Sequence, residues 1–151
     1  METLEWKTYR LGKIELAMQD SSGEYSYYLN IQTGEVIFFS EFGHASEAQE
    51  KQLEEIEENA DIYIPIEHIT SQVAYQWRCD FVDQIVFPQN TLLAEKLSTA
   101  LIGKGAFRRF KDTLSGIDEK LMGKWYQWES DHFYETLEEW FASLPIQIIK
   151  D

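Results

Sequence analysis

Near Pro65 the pattern of apolar residues changes from strand-like to helix-like, and this change constrains the fold more than any other feature of the sequence. Before Pro65, the segment 25–40 is rich in strand-forming residues on both sides of a turn that contains Gly34. Residues 61–66 have a third strand-like pattern, which Pro65 confines to a sheet edge because proline has no N–H to donate. After Pro65, apolar residues recur at helical spacing. We therefore predict an α+β fold: a small antiparallel sheet, with a hairpin at about 25–40 and a strand at about 61–66, packed with four or five helices, and an all-helical C-terminal half.

The apolar spacing and the stop signals set the limits of the predicted helices. They are a short helix near Leu11–Met18, one from about Thr70 to Val86, one capped by Asn90 and ended by Gly103, one from about Gly105 to Ser115, and a helical region from about Asp118 to Leu144. The stripe predicted to be buried in the second of these is Val73, Trp77, Phe81 and Ile85, and in the third Leu92, Leu93, Leu97, Ala100 and Leu101. The last region is either one bent helix or two helices with a break near Ser130-Asp131. Residues 146–149 could add a short strand.

An acidic helix is predicted between the hairpin and the third strand. Residues 46–49 have the Ser-x-x-Gln pattern of a capping box, and the helix would run to about Asn59. Residues 41–61 contain eight acids and one base, and apart from a few alanines only Leu53 and Ile56 could pack against a core. This segment is interpreted as a solvated acidic helix or a partly disordered loop; an acidic binding surface is the alternative.

The composition indicates one folded domain over residues 1–151. The net charge is −14, but 44% of the residues are apolar and 15% are aromatic, which argues against disorder. The charge disfavours nucleic acid as a partner, although a local basic patch could still bind it. The single cysteine, Cys79, favours a reducing compartment, and neither a signal pattern nor a long apolar run is present. We expect a cytoplasmic protein without membrane association.

The basic segment, residues 104–111, is the part of the sequence that best indicates where a functional site could lie. It holds four of the thirteen Lys and Arg residues and no acid. On a helix, Phe107, Phe110 and Leu114 would share one narrow arc and face the core. Arg108 and Lys111 would flank that arc, with Arg108 placed to pair with Asp112, and Arg109 would point nearly opposite, into solvent.

The residues just before this helix could form an anion site. Lys104 lies between Gly103 and Gly105, where a helix N-terminus offers unpaired N–H groups. The segment is neither a Walker A loop nor a dinucleotide fingerprint. Two interpretations remain open. Either the glycines form a corner and the cations pair with the protein's own carboxylates from the acidic segment, or an anion or a partner binds at Lys104, Gly105, Arg108, Arg109 and Lys111.

No catalytic constellation is recognisable. His44, His68 and His132 lack ligand-like spacing with each other and with Cys79, so neither a metal nor a cofactor is predicted. Trp125 and Trp128 are interpreted as core residues rather than as a surface for stacking bases. The first functional hypothesis is a non-enzymatic interaction or regulatory module that uses the basic segment. The alternative is an enzyme or binding protein for a phosphorylated small molecule or nucleic acid, with an anion site at 103–109.

Four segments in this order carry a resemblance to a known family. They are the hairpin from Tyr27 to Val36, the pair Ile64-Pro65, the segment from Gly103 to Leu114, and Trp125-Tyr126-x-Trp128 followed by Glu139-Trp140-Phe141. Together they resemble the bacterial family numbered 158 in the uncharacterised protein family series, over about residues 9–146. Asn30 stands where that family usually has Asp. The resemblance implies this fold outline and a bacterial cytosolic origin, and it brings no activity, ligand or catalytic residue.

Overall fold

The protein is described by a computed structural model that covers residues 2–6, 8–41 and 46–150. The strands are β1 (Glu2–Trp6), β2 (Tyr25–Asn30), β3 (Val36–Ser40), β4 (Tyr63–Ile66) and β5 (Ile146–Lys150). The helices are α1 (Thr8–Gln19), α2 (Glu47–Glu58), α3 (Ser71–Phe81), α4 (Thr91–Ala100), α5 (Ala106–Ser115) and α6 (Glu119–Ser143). The α+β prediction is confirmed, with a three-stranded antiparallel sheet and a helical C-terminal half.

The chain divides into two compact units. Unit 1 consists of Met1–Ile69 and Glu139–Asp151, and unit 2 consists of Thr70–Glu138. Unit 1 contains all five strands with α1 and α2, and unit 2 contains α3, α4, α5 and most of α6. The single domain over 1–151 stays a prediction.

The sheet of unit 1 has the strand order β3-β2-β4. The hairpin turns where the Asn30 carboxamide oxygen accepts hydrogen bonds from the backbone N–H groups of Gln32 at 2.9 Å and Thr33 at 3.1 Å. Gly34 follows with φ 80°, a conformation that few other residues adopt readily. Pro65 lies opposite Tyr28 in the edge strand β4, as its missing N–H predicts.

Helices cover both sides of this sheet. On one side, Ile37 and Phe39 are buried with Ile56 of α2, which begins with the predicted capping box. Within the predicted acidic segment 41–61, residues 47–58 form this helix, and its apolar side packs on the sheet; residues 42–45 lie outside the described residues. On the other side, α1 buries Ile14, Ala17 and Met18 and packs against β3 and β4.

Unit 1 also holds a parallel pair of strands that joins the two ends of the described chain. β5, expected as a short strand, pairs with β1, which the sequence pattern did not reveal. The register places Glu2 opposite Ile146 and Trp6 opposite Lys150. Parallel pairing depends on contacts distant in sequence, so a local pattern of five residues carries little signal for it.

The core of unit 2 is built around aromatic rings. Phe81, Phe110 and Trp125 are each at most 2% exposed, and their ring centroids lie 5.1–6.4 Å apart in edge-to-face geometry. The Trp128 indole N–H donates to the Trp77 carbonyl at 2.9 Å. Trp125 is thus a core residue, and Trp128 packs against the same core, as predicted.

The helices of unit 2 differ from the prediction in two respects, and the structure decides a third point that the sequence left open. The first helix ends at Phe81 and continues as a π-helical turn, Val82–Val86, in which the Phe87 N–H donates to the Val82 carbonyl at 2.8 Å. Val73 is 41% and Leu92 72% exposed, so neither belongs to the buried stripe predicted for its helix. α6 is one helix without a break near residue 130.

Candidate functional site

The basic segment begins in a tight corner between α4 and α5. α4 ends at Ala100, and the chain turns over residues 101–105 before α5 begins at Ala106. Gly103 has φ 79° and Gly105 has φ 75°, so both adopt the left-handed conformation that glycine tolerates best. Gly105 is the N-cap of α5 and offers no side-chain acceptor, which leaves the first N–H groups of the helix without a cap.

Arg109 stabilises this corner through hydrogen bonds to backbone carbonyls. Its Nε donates to the Ala100 carbonyl at 3.0 Å, and its Nη2 donates to the Gly103 carbonyl at 3.4 Å. The two Nη atoms also donate to the carbonyls of Lys104 and Ile102. Arg109 was expected to point freely into solvent. The side chain is indeed exposed, but its guanidinium folds back and pairs with the carbonyls that α4 and the turn leave open.

The other cations of the basic segment remain on the surface. Arg108 forms the predicted surface pair with Asp112 at 3.8 Å, and the two side chains are 89% and 73% exposed. Lys111 lies 5.5 Å from the centroid of the Tyr126 ring. Lys104 is exposed. Pairing of these cations with the acidic segment stays a prediction, because that segment belongs to the other unit.

The predicted inward arc of α5 is only partly buried. Phe110 and Leu114 are 1% and 0% exposed, whereas Phe107 is half-buried. The Arg78 guanidinium carbon lies 3.9 Å from the centroid of the Phe107 ring and 4.9 Å from that of Trp125. Phe107 therefore contacts a cation rather than the centre of the core.

Sequence reasoning missed the structural role of Arg78. Its side chain is only 13% exposed, donates to the Ala74 carbonyl at 2.8 Å and pairs with Glu129 at 3.6 Å. Burial lowers the pKa of the guanidinium, and Glu129 opposes that shift. Its Nε is buried, and no described residue forms a hydrogen bond with it. The signal in the sequence was that Arg78 follows Trp77 directly, on a helix whose one other charged residue is Asp80.

An open groove of about 610 Å³ lies beside the corner. Its lining residues come from the start of α3, the corner and the start of α5: Ser71, Gln72, Tyr75, Leu101, Gly103, Gly105, Ala106, Phe107 and Arg108. Of the five residues predicted to bind an anion or a partner, Gly105 and Arg108 line this groove. Arg109 stabilises the corner, and Lys104 and Lys111 are not among the residues that form the groove.

The N-termini of two helices meet at this groove. Ser71 and Gln72 are the first two residues of α3, and Ala106, Phe107 and Arg108 are the first three of α5. Amides at these positions have no partner within their helix, and each helix presents the positive end of its dipole there. With the Arg108 guanidinium added, the groove presents hydrogen-bond donors and positive charge.

Cys79, which lies on α3 and is not among the residues that line the groove, is not an activated nucleophile. Burial raises the pKa of the Cys79 thiol, so the thiol stays protonated at neutral pH. Within residues 2–6, 8–41 and 46–150, no three His, Cys, Asp or Glu side chains form a group that could hold a metal ion; His44 lies outside these ranges.

A comparison with protein families gives a match over nearly the whole chain. The model of the Uncharacterised protein family UPF0158 matches residues 3–151. The chain belongs to this family. No curated protein and no solved structure matches the chain. None of the helices in the described part of the chain is long and apolar enough to cross a membrane.

Proposed function

We propose that this UPF0158 protein is a non-enzymatic interaction module that receives an anionic group of a partner protein at the groove beside Arg108. The observation that carries the proposal is the meeting of two helix N-termini at one open groove, next to an 89% exposed arginine. Donors fixed on helices bind an anion without reorganising, so they favour this chemistry over apolar contact alone.

The distribution of charge between the two units supports an anionic partner despite the net charge of −14. Unit 1 contains 17 acids and five bases, whereas unit 2 contains ten acids and eight bases. The groove thus belongs to a nearly neutral unit. At physiological salt, charges more than ~8 Å away are largely screened, so the local donors dominate binding.

The surroundings of the groove favour a protein over a small ligand. The groove is open to solvent, whereas pockets for small molecules bury most of the ligand surface. Ile102, in the turn itself, is 71% exposed and could pack against a partner. A reducing, cytoplasmic compartment is part of this proposal, and the single cysteine supports it.

Copurification from the native host tests the proposal. The test variant carries Arg108→Glu and Lys104→Glu, and it keeps Arg109, which stabilises the corner. The matched control carries Lys120→Glu and Lys124→Glu, which change the net charge equally on exposed positions of α6 in the same unit. We expect the test variant to lose a partner that the wild type and the control retain. Retention of every partner by the test variant would refute the proposal.

A phosphorylated small molecule is the second candidate, and the size of the groove favours it. About 610 Å³ lies within the range of roughly 300–1,000 Å³ typical of ligand sites, and Ser71, Gln72 and Tyr75 add polar side chains. A thermal-shift screen of phosphate compounds would then raise the melting temperature of the wild type but not of Arg108→Glu. No shift across a broad panel would exclude this candidate.

A further inference from the structure

Arg78 is a buried cation whose hydrogen-bonding capacity the described residues use in part. Its side chain is 13% exposed. Nη1 donates to the Ala74 carbonyl at 2.8 Å, and Nη2 lies 3.6 Å from a carboxylate oxygen of Glu129. Nε is buried, and no described residue accepts a hydrogen bond from it. A guanidinium has five N–H groups, and a buried donor without a partner costs free energy. The arrangement therefore favours an acceptor that arrives from outside.

Stability alone does not account for this arginine. Taking two charges out of water often costs more than their attraction returns, and apolar side chains of similar size can stabilise such a position better. The Glu129 side chain is 41% exposed, so water weakens its attraction for Arg78. The rings of Phe107, Trp125 and Phe110 lie 3.9–5.9 Å from the guanidinium carbon and compensate in part. The guanidinium is thus largely removed from water beside one partly exposed carboxylate of the described residues.

Arg78 lies directly behind the wall of the groove beside the corner. Tyr75 lines the groove, and Arg78 follows it by three residues, so the two side chains are neighbours on one face of α3. Phe107 also lines the groove, and the guanidinium carbon of Arg78 lies over its ring at 3.9 Å. Arg78 itself is not among the lining residues. The ring that covers the guanidinium is therefore part of the groove wall.

The Phe107 ring can turn aside without a change in the core. Phe107 is the second residue of α5, and it is half-buried beside the open groove. Gly105, the N-cap, offers no side-chain hydrogen bond, so this first turn is held less firmly than a capped one. Rotamer changes of partly exposed side chains are rapid. The turn costs the contact between the ring and Arg78, which is weak where water is close.

The Glu129 carboxylate determines which anion gains from contact with Arg78. A carboxylate ligand would replace one single negative charge with another. A phosphate monoester carries nearly two negative charges at neutral pH and has three acceptor oxygens, so it competes with Glu129 effectively. The planar guanidinium also matches two phosphate oxygens at once. These properties favour phosphate over carboxylate.

We infer that Arg78 is the inner phosphate-binding residue of the groove, and that a phosphate monoester reaches its Nε when the Phe107 ring turns aside. The inference rests on the proposed function, because it names the anion that the groove receives and a second arginine that binds it. A phosphorylated side chain of a partner protein and a phosphorylated small molecule share this chemistry.

Isothermal titration calorimetry of the full chain with inorganic phosphate tests the inference at constant ionic strength and pH ~8, where the anion is doubly charged. We expect Arg78→Met to weaken binding at least ~tenfold, as expected for the loss of a charge-assisted hydrogen bond. Phe107→Ala should strengthen binding about two- to fivefold, because no ring has to move. Glu129→Gln should strengthen it by a similar factor, because the competing carboxylate is gone. Acetate should bind the wild type more weakly than phosphate, and equal binding would overturn the choice of phosphate.

A double-mutant cycle separates access to Arg78 from a mere widening of the groove. In the Arg78→Met background, Phe107→Ala should leave the phosphate affinity unchanged, because the ring then covers no cation. Equal strengthening in both backgrounds would overturn the inference. Lys96→Met removes the same charge from an exposed position of α4 and should bind phosphate within about twofold of the wild type. If Arg78→Met does not fold, unchanged affinity in both Phe107→Ala and Glu129→Gln overturns the inference.

The outcomes separate this inference from the proposed function. If Arg108→Glu abolishes phosphate binding while Arg78→Met and Phe107→Ala leave it unchanged, the inference fails and the proposed function stands. Titration with a short phosphoserine peptide flanked by glycines distinguishes the two sources of phosphate. Tighter binding of the peptide than of inorganic phosphate supports a phosphorylated partner protein, and equal or weaker binding supports a small molecule. In both cases the inference requires that Arg78→Met weaken the binding.

Discussion

Replacing Arg109 with alanine removes the side chain that joins the end of α4 to the start of α5. The bond from Nε to the Ala100 carbonyl at 3.0 Å is partly buried, while those to the turn carbonyls are exposed. We assign about 1 kcal/mol to the first and a few tenths to each exposed bond, because water replaces them. A cation at a helix C-terminus adds a few tenths more. The expected loss for Arg109→Ala is about 2 kcal/mol.

Urea unfolding followed by tryptophan fluorescence measures this loss, because Trp125 is 2% exposed in the core of unit 2. With a slope of about 2 kcal/mol per molar, the midpoint should fall by about 1 M. Arg109→Lys should recover less than half, since lysine keeps the charge but lacks the planar fork. Arg108→Ala removes only an exposed pair and should cost less than about 0.5 kcal/mol. Equal midpoints for Arg109→Ala and Arg108→Ala would refute the structural role assigned to Arg109.

Three further predictions follow from local geometry. Gly105→Ala should destabilise the protein by about 1–2 kcal/mol in urea unfolding, because φ is 75° and the added Cβ would lie 3.1 Å from Arg109 Nη1. Burial and the bond to Asp20 raise the pKa of Tyr27 to about 12, so its stabilising contribution should be complete below pH ~10 and be lost as pH rises toward 12; ultraviolet titration should show a late tyrosine component that Asp20→Asn shifts to lower pH and Tyr27→Phe removes. Ser46→Ala removes the side-chain cap of α2 and should lower stability by about 1 kcal/mol, with faster hydrogen exchange in the first turn of that helix.

The elements that local chemistry determines could be predicted from the sequence. The Ser46 capping box, the Asn90 cap and the hairpin around Gly34 all involve residues within four positions of each other, and the structure has each of them. The edge position of β4 followed from the missing N–H of Pro65 alone. Such signals do not depend on the rest of the fold.

The candidate site could be predicted only in part. A helical wheel describes α5 by itself, so it placed Arg109 in solvent. It could not show that this side chain donates hydrogen bonds to the backbone carbonyls of the end of α4 and the preceding corner. It also treated Phe107 as a core residue, because the partner that half-covers it, Arg78, lies 29 positions earlier in the chain. The groove itself depends on the start of α3 meeting that corner, which no local pattern encodes.

The uneven division of acids between the units has a consequence for how this protein responds to its medium. Unit 1, with 17 acids and five bases, repels itself electrostatically, whereas unit 2, with ten acids and eight bases, does not. Added salt weakens that repulsion, so rising ionic strength should increase the stability of unit 1 and leave the stability of unit 2 nearly unchanged. A single polypeptide would then contain one half that responds to ionic conditions and one half that is indifferent to them.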